Sequence, residues 1–528
     1  MSLSLSLSLS TTTAAPPPPF SNDEILAMDA YTLSQHLHPA EASEPEPALA
    51  QRRRITCQQL MEATMERIEQ VNPRCNAIIC LQDRNNLLQQ AQEADATPRK
   101  GRWHGIPMAI KDLSHVQGFP TTMGGSKLFD DEASLFNDIY VENLRSAGAI
   151  IIGKTNTPEN GLGSHTFNDR WGTTTNPLDE TKSAGGSSGG AAVAVTTHML
   201  CVADGTDMMG SLRNPAGWNL LYSHRPTAGM ILQGATTPTS QKNPLPYPIS
   251  TPGPMARTPL DVALLLETMV GNPETYTAQP MHDTDDKPIS NGVCIGWLGD
   301  WGGAYSFEDG ILSVCQSALQ VLKDNHVATV VEDLSGKPIF PADQLWTNWN
   351  RIRFALVASN YTQAFDENTL LLGDEENSPI KLDLQWEIGQ GIKVTAEDLE
   401  RAGHVAQDYH KCLDAIFETY DVLALPSAQV WPFPVEWTWP KSIGDREMDT
   451  YHRWMEVCIP VSFGGLPCTT VPAGVGPTTG LPMGLTLFGK RGDDLKLLQL
   501  ADAYHKLTDL PSKVKWTGDT DSITMFCS

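Results

Sequence analysis

Basic residues are scarce in this chain of 528 residues: Lys and Arg number 37 against 62 Asp and Glu, a formal charge of −25. So acidic a surface repels a phosphate backbone and an anionic membrane face, which argues against nucleic acid or a membrane as partner. Paired cysteines are missing too. The ten cysteines lie at 57, 75, 80, 201, 294, 315, 412, 458, 468 and 527, and none forms a Cys-x-x-Cys pair. That density is far below a disulfide-stapled secreted module, and no ligand spacing for a structural zinc occurs. The cysteines read as reduced thiols, several of them buried as small hydrophobes. No metal and no cofactor is expected.

Long apolar runs are absent as well: nothing approaches the ~18 residues of a membrane span. The N-terminus alternates Ser and Leu and then runs through Thr, Ala and four prolines, with neither a basic n-region nor a continuous apolar h-region. This composition predicts a disordered tail over 1–22 on a cytoplasmic protein, and argues against a signal peptide. Internal repeats are not seen.

What is present is ordinary for a globular enzyme, with 40% hydrophobic and 19% charged residues. The length exceeds the ~250–300 residues of a single core, so two domains or one large elaborated α/β unit are expected. Thr56-x-x-Gln59 opens a capping box before Leu60, Met61, Met65, Ile68 and Val71 at helical spacing, with Asn72-Pro73 as the stop. Leu87 to Ala94 reads as a helix, and Gly105 to Asp112 as a short buried strand ending at a lysine. Glu142 to Ala147 suits a helix, Ala149 to Ile152 a buried strand, and Leu495 to Leu507 an amphipathic helix. This alternation is the rhythm of an α/β fold. Between 275 and 450 the pattern is less regular and holds Trp297, Trp301, Trp346, Trp349, Trp386, Trp431, Trp437 and Trp439. Such a stretch caps a pocket with aromatic walls or fills cores; both readings stay open.

The stretch from Ser183 to Pro215 organises the rest. Ser187 and Ser211 lie in glycine-rich surroundings, and glycine permits the close backbone approach that a loop around a reacting atom needs. A flexible linker is the alternative, but Ala191 to Val195 is a small apolar run. Gly148 to Thr155 matches the P-loop pattern letter for letter. A phosphate cradle needs a strand before its first glycine and a helix opening at its lysine, whereas here the intervening residues are strand-like and Pro158 follows Lys154 closely. Gly186-Ser187-Ser188-Gly189-Gly190 likewise matches a nucleophile elbow with Ser188 as nucleophile. Its histidine would come from His224, His404, His410 or His452, none of which has a distinctive setting.

Five motifs occur in an order that resembles the amidase signature family. They are Gly105-Ile-Pro-Met-Ala-Ile-Lys111-Asp, Gly153-Lys-Thr-Asn-Thr-Pro-Glu, Gly185-Gly-Ser-Ser-Gly-Gly, Gly205-Thr-Asp-x-x-Gly-Ser211-x-Arg213-x-Pro, and a C-terminal set from Gly465-Leu-Pro to Leu481-Pro-x-Gly-Leu. The similarity spans roughly residues 50 to 512. It implies an α/β fold with a mixed β-sheet core covered by helices on both faces. The implied bounds are a domain over 23–515, a variable pocket-capping part over 275–450, and a C-terminal tail over 516–528.

The resemblance also implies a Ser–Ser–Lys triad, with Ser211 as nucleophile, Ser187 as bridging serine on a cis peptide, and Lys111 as base. A lysine serves as base only when neutral, and the apolar run Met108-Ala109-Ile110 is suited to bury it. Lys111 would draw a proton through Ser187 from Ser211, and the reversed relay would protonate the leaving amine. Backbone N–H groups of residues 208 to 211 would hold the oxyanion. Where the family commonly has Gly-Gly before its nucleophile, this chain has Met209 and Gly210, which alters the shape near that hole. Gly161 falls where relatives place a substrate-facing residue, so Gly161, Met208, Met209 and Gly210 are the candidate substrate-binding residues. Asp207 and Arg213 are expected to brace the loop as an ion pair.

The expected reaction is hydrolysis of a small carboxylic amide to acid and ammonia or amine, without histidine or metal. The aromatic content of 275–450 leans toward an aryl or hydrophobic acyl group. Alternatives are an esterase using Ser188, the amidase component of an amidotransferase that passes ammonia to a partner protein, and a non-catalytic binding protein on the same fold. The oligomeric state, a homodimer included, stays open.

Overall fold

The computed structural model describes residues 19–37, 53–129, 131–232, 243–282, 292–362, 380–516 and 523–525. The Ser-Leu tail therefore lies outside the described residues up to position 18. The acidic chain packs as a mixed α/β unit around two sheets.

The smaller sheet holds β1 (Pro107–Lys111) and β2 (Ile150–Thr155) in parallel, with the two-residue strand Ile78–Ile79 antiparallel on the other side of β2. The larger sheet has eight strands: β3 (Val202–Asp207), β4 (Tyr222–Arg225), β5 (Thr251–Ala256), β6 (Val293–Trp297), β7 (Ala328–Asp333), β8 (Val422–Pro426), β9 (Cys468–Val475) and β10 (Pro482–Phe488). Their order across the sheet is β7-β6-β8-β10-β9-β4-β5-β3. Only β6 runs parallel to its neighbours β7 and β8; the remaining pairs are antiparallel. Thus β1 is an edge of the small sheet and β3 an edge of the large one, and these two edges face each other. An uncovered edge leaves backbone groups unpaired. Here the gap between the edges is where the site is built.

The helices follow the sequence signals closely. The helix Cys57–Cys75 starts on a formed Thr56–Gln59 capping box, but it runs through Pro73 instead of stopping there. A proline near a C-terminus forfeits only one helical bond, and the Asn72 side chain binds the departing backbone at Ala77 N–H, Ile78 N–H and Ile78 O. The helices Arg84–Asp95 and Asp494–Thr508 lie where expected, each slightly extended, and Ile139–Ser146 starts three residues before its expected bound and ends one before it. Gly189–Thr196 is buried along its whole length. Small side chains all round allow it to pack against strands of both sheets, and a Cβ at Gly190 would fall 2.4 Å from Asn156 N. Its N-terminus presents Ser187 and Ser188.

The expected C-terminal tail is not wholly irregular, for Val514–Trp516 pairs with Ile523–Met525. Of the tryptophans in 275–450, Trp297, Trp301, Trp349 and Trp431 are core residues and Trp437 is exposed. The core reading is right for those four.

Candidate active site

The strand β1 carries Lys111 into the gap between the sheets, with no exposed surface. Its Nζ lies 2.7 Å from Ser187 Oγ, 2.9 Å from Ser188 Oγ and 2.9 Å from Thr206 Oγ1. Three hydroxyls suit both protonation states. An ammonium donates to all three, and a neutral amine donates to two and accepts from the third, so no buried polar atom is stranded when the proton leaves. Burial pulls the lysine down to about 7, against the opposing pull of Asp204 and Asp207.

The Gly186–Ser187 peptide is cis. Ser164 Oγ donates to Gly186 O at 2.6 Å, Thr166 Oγ1 to Gly185 O at 2.9 Å, and Gly186 N–H to Asn214 Oδ1 at 3.2 Å. The first two bonds tie the serine loop to the segment 164–166, and the third ties it to Asn214, on the helix that follows Ser211. A further tie is the Ser188 N–H, which donates to Ser211 O at 3.2 Å. Ser211 itself is half-buried. No hydrogen bond joins Ser211 Oγ to Ser187 Oγ among the described residues.

Asp207 shapes the turn before Ser211. Its carboxylate accepts from Gly210 N–H at 2.9 Å, Leu212 N–H at 3.1 Å and both prongs of Arg213 at 3.0 and 2.7 Å. Burial pushes this carboxyl up, but Arg213, Arg225 and the Gly210 bond outweigh it and hold it well below the usual range. Gly210, not Met209, takes the left-handed backbone, with φ of 96°. Because Gly210 N–H is spent on Asp207, the N–H groups near Ser211 left without an acceptor among the described residues are those of Met208, Met209 and Ser211. Gly161 is close to the serines: a Cβ built there would lie 3.6 Å from Ser187 Oγ and 2.6 Å from Leu113 Cδ1.

Behind Met208 and Met209 stands a charged cluster that sequence reading missed. Arg353, on the helix Ala342–Thr362, donates to Glu387 Oε1 at 2.6 Å and to Tyr451 Oη at 2.7 Å. Its Nη1 lies 3.5 Å from Met208 Sδ and 4.0 Å from Met209 Sδ. Arg353, Glu387 and Tyr451 are all buried. Nothing in the pattern of 342–391 marks the first two, since each falls singly on an ordinary helix face. Also missed as lysine partners were Ser188 and Thr206.

The competing motifs resolve locally. Lys154 lies on β2, and its buried Nζ donates to Ser114 O at 2.7 Å and pairs with Asp112 at 3.3 Å. The lysine of the P-loop pattern is thus committed within the fold. Ser188 Oγ is buried against Lys111 and Thr206. His224 binds Thr469 and Asp494, His410 binds Tyr247 and His452 binds Asn350. Among the described residues no group of three His, Cys, Asp or Glu side chains could hold a metal ion, and no helix is long and apolar enough to cross a membrane.

Comparison with known proteins identifies the family. The Amidase family model matches residues 59–498. An acylamidase of Rhodococcus erythropolis is 30% identical over 486 residues, covering 88% of this chain and 95% of the relative. A glutamyl-tRNA(Gln) amidotransferase component from Chloroflexus aurantiacus is 30% identical over 494 residues, covering 86% of this chain and 94% of the relative. The crystal structure of a bacterial aryl acylamidase of the amidase signature family superposes with a TM-score of 0.75 at 25% identity, covering 86% of this chain and 94% of that one. The chain belongs to the amidase family of amide-hydrolysing enzymes.

Proposed function

We propose that this amidase cleaves a neutral carboxylic amide through an acyl-enzyme on Ser211, with Ser187 passing protons between Ser211 and Lys111. The observation that carries the reading is the buried lysine held by three hydroxyls, with Ser187 nearest at 2.7 Å. Burial brings it down to about 7, so at neutral pH a large share of the lysine is in the neutral form that can accept a proton. Attack by Ser211 Oγ on the amide carbonyl forms a C–O bond while the hydroxyl proton moves to Ser187, whose own proton moves to Lys111. The N–H groups of Met208, Met209 and Ser211 hold the oxyanion. Collapse breaks the C–N bond, and the same relay returns a proton to the departing nitrogen. Water then enters by the same route and releases the acid.

An aryl or hydrophobic acyl group suits the surroundings. The thioethers of Met208 and Met209, Leu113 beside Gly161, and buried Leu162 offer apolar contact. Arg353, the buried cation behind the methionines, is already paired with Glu387. A cytoplasmic setting accords with the cysteines, which are free among the described residues.

The test is release of ammonia or amine from a panel of aryl and aliphatic amides by wild type, Ser211→Ala and Lys111→Ala. Activity abolished by both substitutions supports the reading. Activity surviving Ser211→Ala overturns it. A second reading, an amidotransferase component, draws on the relatives of that name; it predicts glutamine as the favoured amide and a partner protein as ammonia acceptor.

A further inference from the structure

Between the two facing edge strands lies a carboxylate that the relay above does not use. Asp204, on β3, has almost no exposed surface. Its Oδ1 accepts the backbone N–H of Lys111 at 3.1 Å, and its Oδ2 accepts the Tyr140 hydroxyl at 2.8 Å. No arginine or lysine side chain forms an ion pair with it among the described residues, unlike Asp207 and Asp112, which are paired with Arg213 and Lys154. A buried carboxylate without an ion-pair partner is costly, and here two hydrogen bonds offset part of that cost. The cationic groups that act on it are Lys111 and, further off, Lys154.

We propose that Asp204 is a positioning residue for Lys111: its carboxylate anchors the lysine's own backbone, and its charge sets how readily Nζ gives up its proton. This inference rests on the reading of Lys111 as the base. The groups facing the lysine are few. On β3 they are Asp204 and Asp207; just after β1, Asp112 with its partner Lys154 on β2; on the helix Ile139–Ser146, Tyr140; and on the serine loop only hydroxyls. Asp207 is offset by Arg213 and Arg225, and Asp112 by Lys154. Asp204 is therefore the one of the three without an ion-pair partner among the described residues, and with Asp207 it raises the lysine. Burial holds its carboxyl above the usual range, with the Tyr140 and Lys111 bonds offsetting part of the rise. A lysine buried alone would lose its proton too easily to hand one back to a leaving amine. The carboxylate restores part of that affinity, so the relay runs in both directions.

The experiment measures the second-order rate of Ser211 labelling by a rhodamine-tagged fluorophosphonate, and kcat/KM on p-nitroacetanilide, from pH 5 to 9. Asp204→Asn keeps the acceptor for the Lys111 N–H but removes the charge. The expected result is an acid limb moved to lower pH by about one unit, the effect of removing one nearby opposite charge. Tyr140→Phe removes only the carboxylate's hydroxyl donor. It favours protonated Asp204 and moves the limb the same way by a smaller step, which keeps the test alive should Asp204→Asn not fold. A limb that stays put or moves up in both variants overturns the proposal, since a purely structural tie lowers the melting temperature without touching the pH profile. Lys111→Arg separates the two readings. If it reacts with the wild-type profile, the base assignment fails and this inference with it. If it is silent while the limb ignores Asp204→Asn, only the role of Asp204 is lost.

Discussion

Arg213 clasps Asp207 with two prongs, Nε at 3.0 Å and Nη2 at 2.7 Å, and the same carboxylate takes the N–H of Gly210 next to Ser211. The ion pair is buried on both sides. It fixes a glycine turn into a platform, because the residues before and after Ser211 hang on one carboxylate.

The first prediction concerns this clasp. In Asp207→Asn the guanidinium of Arg213 stays buried without its counter-charge. Stranding one partner of such a pair costs about 3–5 kcal/mol. Urea unfolding should show a loss of that order, and Ser211 labelling by a fluorophosphonate should fall by more than ten-fold at temperatures where the variant is still folded. Unchanged labelling would mean the turn holds its shape without the clasp.

The second concerns Lys111 and pH. Burial lowers it to about 7, whereas an unfolded lysine titrates near ~10.4. Between those values the unfolded chain binds the extra proton. Stability from this group therefore climbs with pH across the window, and is lost as pH falls toward 7. Urea unfolding of wild type and Lys111→Met at pH 7 and pH 9.5 should show wild type gaining on the variant by about 3 kcal/mol at the higher pH, at 1.36 kcal/mol per unit. Catalysis runs the same way: kcat/KM should drop as pH falls through 7, where the base becomes protonated. A gap that does not change with pH would show that the lysine is charged in the fold.

Third, Ser188→Ala separates a lysine partner from a nucleophile. Ser188 Oγ is one of the three hydroxyls on Lys111 Nζ, at 2.9 Å. Its removal leaves one N–H of a protonated lysine without an acceptor, at about 1–3 kcal/mol. Activity should fall about ten- to a hundred-fold yet remain measurable, whereas Ser211→Ala should leave none. Total loss in Ser188→Ala with survival in Ser211→Ala would restore the elbow pattern as the site.

Much of this was legible in the sequence because it depends on local chemistry. The apolar run before Lys111, the all-small helix after Gly190 and the Thr56 capping box each state their structure within a few residues, and each forms. Motif order then brought Lys111, Ser187 and the Ser211 loop into one proposal. The helix stop at Pro73 was misread because Asn72 supplies a side-chain cap that no propensity rule sees. Asp204, Arg353, Glu387 and Tyr451 were illegible for a different reason. Their meaning comes from distant partners, in Tyr140 for Asp204 and in Glu387 and Tyr451 for Arg353. The backbone availability of residues 208 to 211 was likewise hidden, since only the fold reveals that Asp207 consumes the Gly210 N–H.

The last prediction tests whether Gly161 bounds the acyl site. Its φ is 68°, in the left-handed region where a side chain costs roughly 1–2 kcal/mol. A Cβ there would press on Leu113 Cδ1 at 2.6 Å, the movable end of a flexible side chain, and would stand 3.6 Å from Ser187 Oγ. Gly161→Ala should therefore fold with a modestly lower melting temperature and still label Ser211 with a small fluorophosphonate. The added methyl occupies space next to the relay, so bulky aryl amides should suffer in KM far more than acetamide-sized ones. Competition between p-nitroacetanilide and a benzoyl anilide reads the ratio directly. An equal loss on both would assign the effect to backbone strain and remove Gly161 from the substrate wall; a loss confined to the larger amide would mark the direction in which the acyl group extends from Ser211.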